Sequence, residues 1–259
     1  MAKVLGESGR YASQEEIKKI RQHYLVIIGA IAILGGVLGY LLCLYLQVRK
    51  FSSITTSVAV SILLCVIWLV ERMGFHKLDK IEKSRAAMRK GAAGENAVAQ
   101  ILKDFPENFC VINGLTTPFG DLDHVVVGPT GVYIIDTKNW KGVVSADGKG
   151  ELLLNGKPLD KPTVKPLVTR MMNVKDKIKT LSNLDSFFKA VLVFPIARVE
   201  AGWGKTGSAN CIRDDQLWSH IVENEFSSKL DKKTIKSLAQ AFLALATMDK
   251  EFQSSEKKI

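Results

Sequence analysis

Acidic residues and one lysine recur at short spacing in the middle of this 259-residue sequence. Asp121 and Asp123 are separated by one residue, and Asp136 precedes Lys138 in the same way. Carboxylate oxygens are ligands that Mg²⁺ prefers, and a neighbouring lysine can stabilise the negative charge that builds up on a phosphate during hydrolysis. An isolated Asp-x-Lys triplet is frequent by chance, however, and is more often a surface salt bridge. The chemistry therefore depends on whether further carboxylates lie close to Asp136.

A further carboxylate, Glu95, lies upstream in the stretch GAAGENAVAQILKD at residues 91–104. Apolar residues recur there at spacings of three and four, which predicts a helix. Glu95 precedes Val98 by three residues and Leu102 by seven, so it points from the same face as the apolar stripe. A carboxylate on that face is costly to bury unless it is paired or binds a cation. Glu95 is equally consistent with a first-turn acid that the helix dipole favours, and the residues alone leave both interpretations open.

A β-hairpin is predicted to carry the aspartates. Two runs rich in β-branched and aromatic residues, 123–127 and 132–138, are joined by the turn sequence Gly-Pro-Thr-Gly. Side chains alternate along a strand, so Asp136 and Lys138 point to one face. Asp123 lies in the partner strand, and pairing of the two strands can bring it beside Asp136. One helix and two neighbouring strands are thus predicted to bring three carboxylates and a lysine together.

The order and spacing of these residues resemble a known family. Gly94-Glu95, the stretch GDLDHVVVGP at residues 120–129 and the stretch GVYIIDTK at residues 131–138 are similar to the nuclease-related domain called NERD, over residues 88–200. That domain is in turn similar to the PD-(D/E)-x-K nucleases. The resemblance implies an α/β fold, with a restriction-endonuclease-like mixed sheet flanked by helices, for a domain at residues 91–200.

The resemblance also implies roles for individual residues. The side chains concerned are Glu95, Asp123 and Asp136 as metal ligands, Asp121 as the second-choice ligand, and Lys138 as the catalytic lysine. The implied cofactor is Mg²⁺ or Mn²⁺, and the implied partner is nucleic acid, DNA rather than RNA. The sequence departs from the family in two places. The third-strand acid is aspartate where glutamate is more usual, and Lys165 and Pro166 stand where a glutamine is expected.

Two uncharged apolar runs explain why the mean hydropathy is positive, at +0.09, in a chain with 24% charged residues. They cover residues 24–48 and 51–70, with only Arg49 and Lys50 between them. A bilayer core of about 30 Å needs about 20 helical residues, so each run is long enough to span it. The predicted element is a two-helix transmembrane hairpin that precedes the α/β domain. The alternative, a buried helix pair of a soluble domain, would normally show polar faces.

The flanking charges predict the orientation of this hairpin. Basic residues precede the first run and continue through residues 72–90, whereas the hairpin loop has two. By the positive-inside rule, both termini and the nuclease-like domain lie in the cytoplasm, at the inner or plasma membrane. Residues 72–90 either contact anionic lipid head groups or form a solvated connector. The predicted order is an N-terminal segment (1–23), the hairpin (24–70), a basic linker helix (71–90), the nuclease-like domain (91–200), closing helices (201–248) and a polar tail (249–259).

The net charge of +10 does not by itself indicate a nucleic-acid partner. Residues 71–259 contain 29 Lys and Arg against 23 Asp and Glu, a difference of +6. A basic helix predicted at residues 166–184, which contains Arg170 and Lys175, either follows a phosphate backbone or is a solvated face.

Together, the candidate site, the family resemblance and the two apolar runs predict a membrane-anchored, metal-dependent nuclease. The alternative is a non-catalytic module, held at the membrane, that docks nucleic acid or protein.

Overall fold

The structure is a computed structural model that describes residues 1–6, parts of 22–45, residue 61, and residues 83–201, 209–224 and 229–246. Two compact units can be distinguished. One comprises Met1–Tyr11 and Lys90–Ile259, and the other comprises Ala12–Arg89. In the second unit, the described residues between 22 and 45, together with residue 61, are helical.

Ten strands in the described part of the chain form two sheets. They are β1 (Lys3–Leu5), β2 (Cys110–Thr117), β3 (Gly120–Gly128), β4 (Gly131–Thr137), β5 (Val143–Ala146), β6 (Leu152–Leu154), β7 (Lys157–Pro158), β8 (Phe188–Phe194), β9 (Arg198–Val199) and β10 (Ala209–Arg213). The main sheet has the order β1-β2-β3-β4-β8-β10, and the small sheet has the order β7-β6-β5-β9. In the main sheet β2, β3 and β4 are antiparallel, whereas β1, β8 and β10 each join a neighbour in parallel. The predicted mixed sheet of an α/β fold is confirmed.

The predicted hairpin is formed by β3 and β4. These strands pair with His124 opposite Ile135 and with Gly128 opposite Gly131. Gly131 has a φ of +123°, a conformation that only glycine adopts readily, which explains the glycine at this tight turn. All residues of β4 are buried, because helices cover both faces of the sheet.

Helices α1 (83–103), α2 (Val164–Ser182), α3 (Leu217–Ile221) and α4 (Lys232–Leu245) surround the main sheet. One sheet face, which includes Ile134, packs on α2 and α4. The opposite face, which includes Ile135, packs on α1 and α3. Strand alternation therefore places Asp136, two residues after Ile134, on the side of the sheet that α2 covers. The helices predicted at residues 91–104 and 166–184 are confirmed.

The small sheet holds the start of α2 in place. Glu151, just before β6, accepts hydrogen bonds from the backbone N–H groups of Thr163, Val164 and Lys165, at 2.9, 3.0 and 2.9 Å. These donors have no partner within the helix, so a carboxylate from another element replaces the usual N-cap side chain. The Lys165-Pro166 pair, found where glutamine was expected, thus forms the first turn of a helix that is capped from outside.

Five strands were not predicted from the sequence: β1, β2, β7, β9 and β10. β1 has three residues, too few for a periodic signal, and is defined by its pairing with β2. β10 pairs with β8 from Ala209 to Arg213, so the region after residue 200 contributes a strand to the main sheet as well as closing helices. β1 and β10 lie at the edges of the main sheet, and β1 pairs with a strand that is 107 positions away in sequence.

The predicted transmembrane hairpin at residues 24–70 lies mostly outside the described residues. Within the described part of the chain, no helix combines the length and apolar character needed to cross a membrane. Several large apolar side chains of the described helical residues are exposed, including Leu25, Ile33 and Tyr40.

Candidate active site

The site is built on the β3–β4 hairpin, where Asp123 and Asp136 are neighbours. The ladder between the two strands extends to His124 and Ile135, and the next residues outward are Asp123 and Asp136. The backbone N–H of Thr137 donates to Asp123 Oδ2 over 2.7 Å. This bond anchors the Asp123 carboxylate to the backbone between Asp136 and Lys138. The predicted convergence of the two strands on one carboxylate pair is therefore present.

The carboxylates are close enough to influence one another. The pKa of Asp123 is raised well above its usual value, first by loss of hydration and then by the neighbouring charges of Asp136 and Glu95. The Thr137 N–H and Lys138 act in the opposite direction and do not compensate. Three like charges at one end of the sheet are unfavourable without a compensating cation. Asp123 thus lies within electrostatic reach of both Asp136 and Glu95.

Lys138 is ion-paired with Asp136. Its Nζ lies 2.5 Å from Asp136 Oδ2, while the backbone N–H of Lys138 bonds to Val193 of β8 over 2.8 Å. Burial lowers the pKa of Lys138, but Asp136 and more weakly Asp123 outweigh this effect, so that its pKa is raised. Lys138 is consequently an ammonium ion at neutral pH and can act as a cation or hydrogen-bond donor, but not as a base.

Glu95 reaches the hairpin because its helix approaches closely. A Cβ atom at Gly94 would lie 2.7 Å from Asn139 Cβ, so only glycine allows this contact. The Asn139 side-chain amide donates to the carbonyl of Lys90, one turn earlier in α1, over 2.6 Å. Asn139, which follows Lys138, thus connects α1 to the end of β4. Asn139 was not identified from the sequence, although its position beside the Asp-x-Lys motif was visible.

Asp121, the second-choice ligand, has an exposed side chain. Its backbone carbonyl accepts a hydrogen bond of 2.7 Å from Arg170 Nη1, and the same nitrogen lies 3.9 Å from Asp136 Oδ1. Arg170 therefore belongs to the site. The sequence indicated only that α2 is basic, and nothing in its pattern distinguished Arg170 from the lysines that follow it.

The donors fit a hard divalent cation in kind, since all are carboxylates and one of them carries two like-charged neighbours. The carboxylates of Glu95, Asp123 and Asp136 are not arranged so that all three could bind one metal ion. Among the described residues, no cluster of three or more His, Cys, Asp or Glu side chains is arranged to hold a metal ion. Asp136 is instead paired with Lys138.

Parts of the chain are similar to known proteins. A protein of Bacillus anthracis described as uncharacterized is 33% identical over 78 residues, which covers 28% of this chain and 37% of the relative. The chain thus spans a little over a third of that relative's length. No solved structure matches the chain. Residues 90–196, which contain Glu95, Asp123, Asp136 and Lys138, match the family described as Nuclease-related domain (NERD).

Proposed function

We propose that this protein is a metal-dependent nuclease that hydrolyses phosphodiester bonds in DNA. The observation that carries the proposal is the Asp123–Asp136–Lys138 constellation at the end of the hairpin, inside a region that matches a nuclease-related family. The fold supports it, since two paired strands hold two carboxylates and an ammonium ion at one end of the sheet. The restriction-endonuclease-like character of this fold is part of the same proposal.

Glu95, Asp123 and Asp136 would hold the metal ion, Mg²⁺ or Mn²⁺, with Asp121 as the second choice. When bound, such an ion supplies an activated water and neutralises charge that builds up on the phosphate. Lys138 holds its proton and presents positive charge next to Asp136. Its role in the proposal is to stabilise the extra negative charge of the transition state.

The supporting scaffold has its own role. The Thr137 N–H fixes one oxygen of Asp123, which limits how the carboxylate can rotate. Asn139 holds the helix that presents Glu95. Catalytic groups must be held within fractions of an ångström of the productive geometry. These two hydrogen bonds limit the movement of the Asp123 carboxylate and of the helix that carries Glu95.

A cleavage assay tests the proposal. The full chain, purified in detergent, is incubated with linear, nicked and single-stranded DNA and with Mg²⁺ or Mn²⁺. We expect cleavage by the wild type, and loss of cleavage in Asp136→Ala and Lys138→Ala. Asp185→Ala is the matched control, because Asp185 is exposed and pairs with Lys179 at 2.6 Å, on another surface. Intact DNA with the wild type, or equal cleavage by all variants, would refute the nuclease proposal.

A second function, a non-catalytic docking module for nucleic acid or protein, is favoured by one observation. Asp136 faces cations on both of its oxygens, Lys138 and Arg170, and no three-ligand group is formed among the described residues. DNA binding without cleavage in the same assay would identify this function. Its affinity should fall steeply with salt if phosphate contacts dominate.

We further propose that residues 24–70 form a transmembrane hairpin that holds the domain at the cytoplasmic face of the inner or plasma membrane. The long uncharged runs support this, as do the exposed apolar side chains of the described helical residues, because lipid would cover them. Residues 72–90 would then contact anionic head groups. The lipid bilayer is accordingly a proposed partner.

The pairing of β1 with β2 supports an even number of membrane crossings. β1 precedes both apolar runs and β2 follows them, yet the two strands are hydrogen-bonded in one sheet. Strands of one sheet lie on the same side of a bilayer, and two crossings satisfy this condition. Protease added outside intact cells should leave the domain uncut. Digestion of the domain under those conditions would contradict the topology.

A further inference from the structure

Arg170 is placed apart from the other cations of its helix. Lys175 and Lys179 both pair with Asp185, at 3.9 and 2.6 Å, near the C-terminal end of α2. Arg170, nearer the N-terminal end, extends toward the β3–β4 hairpin and reaches Asp136. Two lysines of α2 thus pair with Asp185, whereas Arg170 lies beside the candidate site.

Space for the arginine side chain is provided by a glycine. Gly120, at the start of β3, has a φ of +112°, and a Cβ atom there would lie 3.3 Å from Arg170 Nε. A side chain at this position would be strained in the backbone and would press on the guanidinium group. The turn between β2 and β3 thus lies against Arg170, whose side chain extends to Asp136.

In the described part of the chain, the guanidinium group retains hydrogen-bond donors beyond the one that Asp121 engages. It has five N–H donors, and one nitrogen is engaged by the Asp121 carbonyl at 2.7 Å. Its side chain is 27% exposed, close to the 30% of Lys138, so both cations are reachable from solvent. The carboxylates beside them repel a phosphate, whereas these two side chains offer an approaching phosphodiester favourable charge.

We infer that Arg170 is a substrate-binding residue that holds a non-bridging oxygen of the DNA phosphodiester next to Asp136 and Lys138. A planar guanidinium donates two parallel hydrogen bonds to a phosphate, which fixes both its position and its orientation. The inference rests on the proposed function.

Equilibrium binding separates this role from a general effect of charge. The full chain in detergent is titrated into a fluorescently labelled DNA duplex in EDTA, over a series of salt concentrations. For Arg170→Ala we expect roughly tenfold to hundredfold weaker binding, typical of a lost charged hydrogen bond. The slope of log Kd against log salt should also fall by about 1, since one phosphate contact is lost.

Lys175→Ala is the matched control. Lys175 lies in the same helix, has a similar exposed side-chain fraction of 28%, and makes an ion pair of the same length, 3.9 Å, with a different aspartate. We expect its affinity and salt slope to remain near those of the wild type. Arg170→Lys should retain the salt slope but bind more weakly, because an ammonium cannot reproduce the two parallel bonds.

Equal affinity and equal slope for Arg170→Ala and Lys175→Ala, with both variants folded by circular dichroism, would overturn the inference. Cleavage in Mg²⁺, measured in parallel, keeps the two proposals apart. If the wild type cleaves DNA and Arg170→Ala behaves like Lys175→Ala, the inference fails and the nuclease proposal stands. If the wild type binds but does not cleave, and only Arg170→Ala loses the salt-dependent contact, the nuclease proposal fails and Arg170 is still the phosphate-binding residue.

Discussion

Gly94 and Asn139 fit together where α1 crosses the end of β4. The distance from an added Cβ atom at Gly94 to Asn139 Cβ would be 2.7 Å, which is shorter than real Cβ contacts allow. The glycine before Glu95 is therefore required by packing. The same contact connects the two parts of the site, because Glu95 follows Gly94 and Lys138 precedes Asn139.

Gly94→Ala should consequently impair the site. In an open helix position, glycine to alanine raises stability by about 1 kcal/mol. At Gly94 this gain is offset by a clash with Asn139, which for an overpacked contact typically costs about 1–3 kcal/mol. We expect α1 to shift away from β4, with loss of DNA cleavage. The measurements are cleavage rate and free energy of unfolding in denaturant.

Gly91→Ala is the control for this prediction. Gly91 lies one turn earlier in α1, and an added Cβ atom there meets nothing within 4 Å. This variant should keep wild-type cleavage and gain about 1 kcal/mol from helix propensity. The packing argument is wrong if the two alanine variants have the same stability and the same activity.

The local part of the site could be predicted from the sequence. Asp123, Asp136 and Lys138 lie on a hairpin whose β-branched runs and turn glycines are all within 18 residues, from 121 to 138. Strand alternation then determines which side chains share a face. Glu95 could be added because its helix has a clear apolar stripe.

The long-range part of the site could not be predicted from the sequence. Arg170 is 34 residues beyond Asp136, and which cation of α2 reaches the site depends on how that helix lies across the sheet. β1 is defined by a partner strand that is 107 positions away along the chain. Asn139 acts through a contact with Lys90, 49 positions away. Such contacts follow from packing and leave no periodic signal.

Glu151 should stabilise α2 in a pH-dependent way. Burial raises its pKa, but the backbone N–H groups of Lys165, Thr163 and Val164 outweigh this, so the pKa is lowered from its usual 4.5. Because the pKa of Glu151 is lower in the folded state than in the unfolded state, the ionised side chain stabilises the protein at pH values above about 4.5. This contribution is lost as the pH falls below about 4.5. Glu151→Gln should cost about 1–2 kcal/mol at pH 7 and less at pH 3.5.

Denaturant unfolding at both pH values measures this effect. Glu200→Gln is the control, because Glu200 is exposed and makes a single ion pair of 3.1 Å with Arg198. Its cost should stay within about 0.5 kcal/mol. If Glu151→Gln is no more destabilising than Glu200→Gln at pH 7, the capping role assigned to Glu151 is wrong.

His220 should make the fold sensitive to mild acid. It is buried, and burial, together with the charge of Lys189, lowers its pKa from 6.5 to about 4. The unfolded chain binds a proton at higher pH than the folded chain, so stability falls as the pH drops from about 6.5 toward 4. The loss is up to about 1.4 kcal/mol per pH unit for one histidine.

Comparison of the wild type with His220→Gln isolates this contribution. His124 is buried as well, with its pKa lowered to about 3, so the variant should keep part of the acid sensitivity. We expect the slope of unfolding free energy against pH, measured between pH 6.5 and 5, to be smaller in His220→Gln. Identical slopes would show that His220 does not titrate differently in the folded and unfolded states.

The N-terminal strand should contribute to the stability of the domain. Leu5 is 8% exposed and belongs to the core on the α2 side, whereas Val4 is 37% exposed. The backbone N–H of Lys3 also bonds to the carbonyl of Phe109 over 3.1 Å. Leu5→Ala should therefore cost about 2–3 kcal/mol of unfolding free energy, and Val4→Ala less than about 0.5 kcal/mol. Equal effects of the two substitutions would mean that β1 does not pack against the core in solution. The pairing of β1 with β2 would then no longer support an even number of membrane crossings.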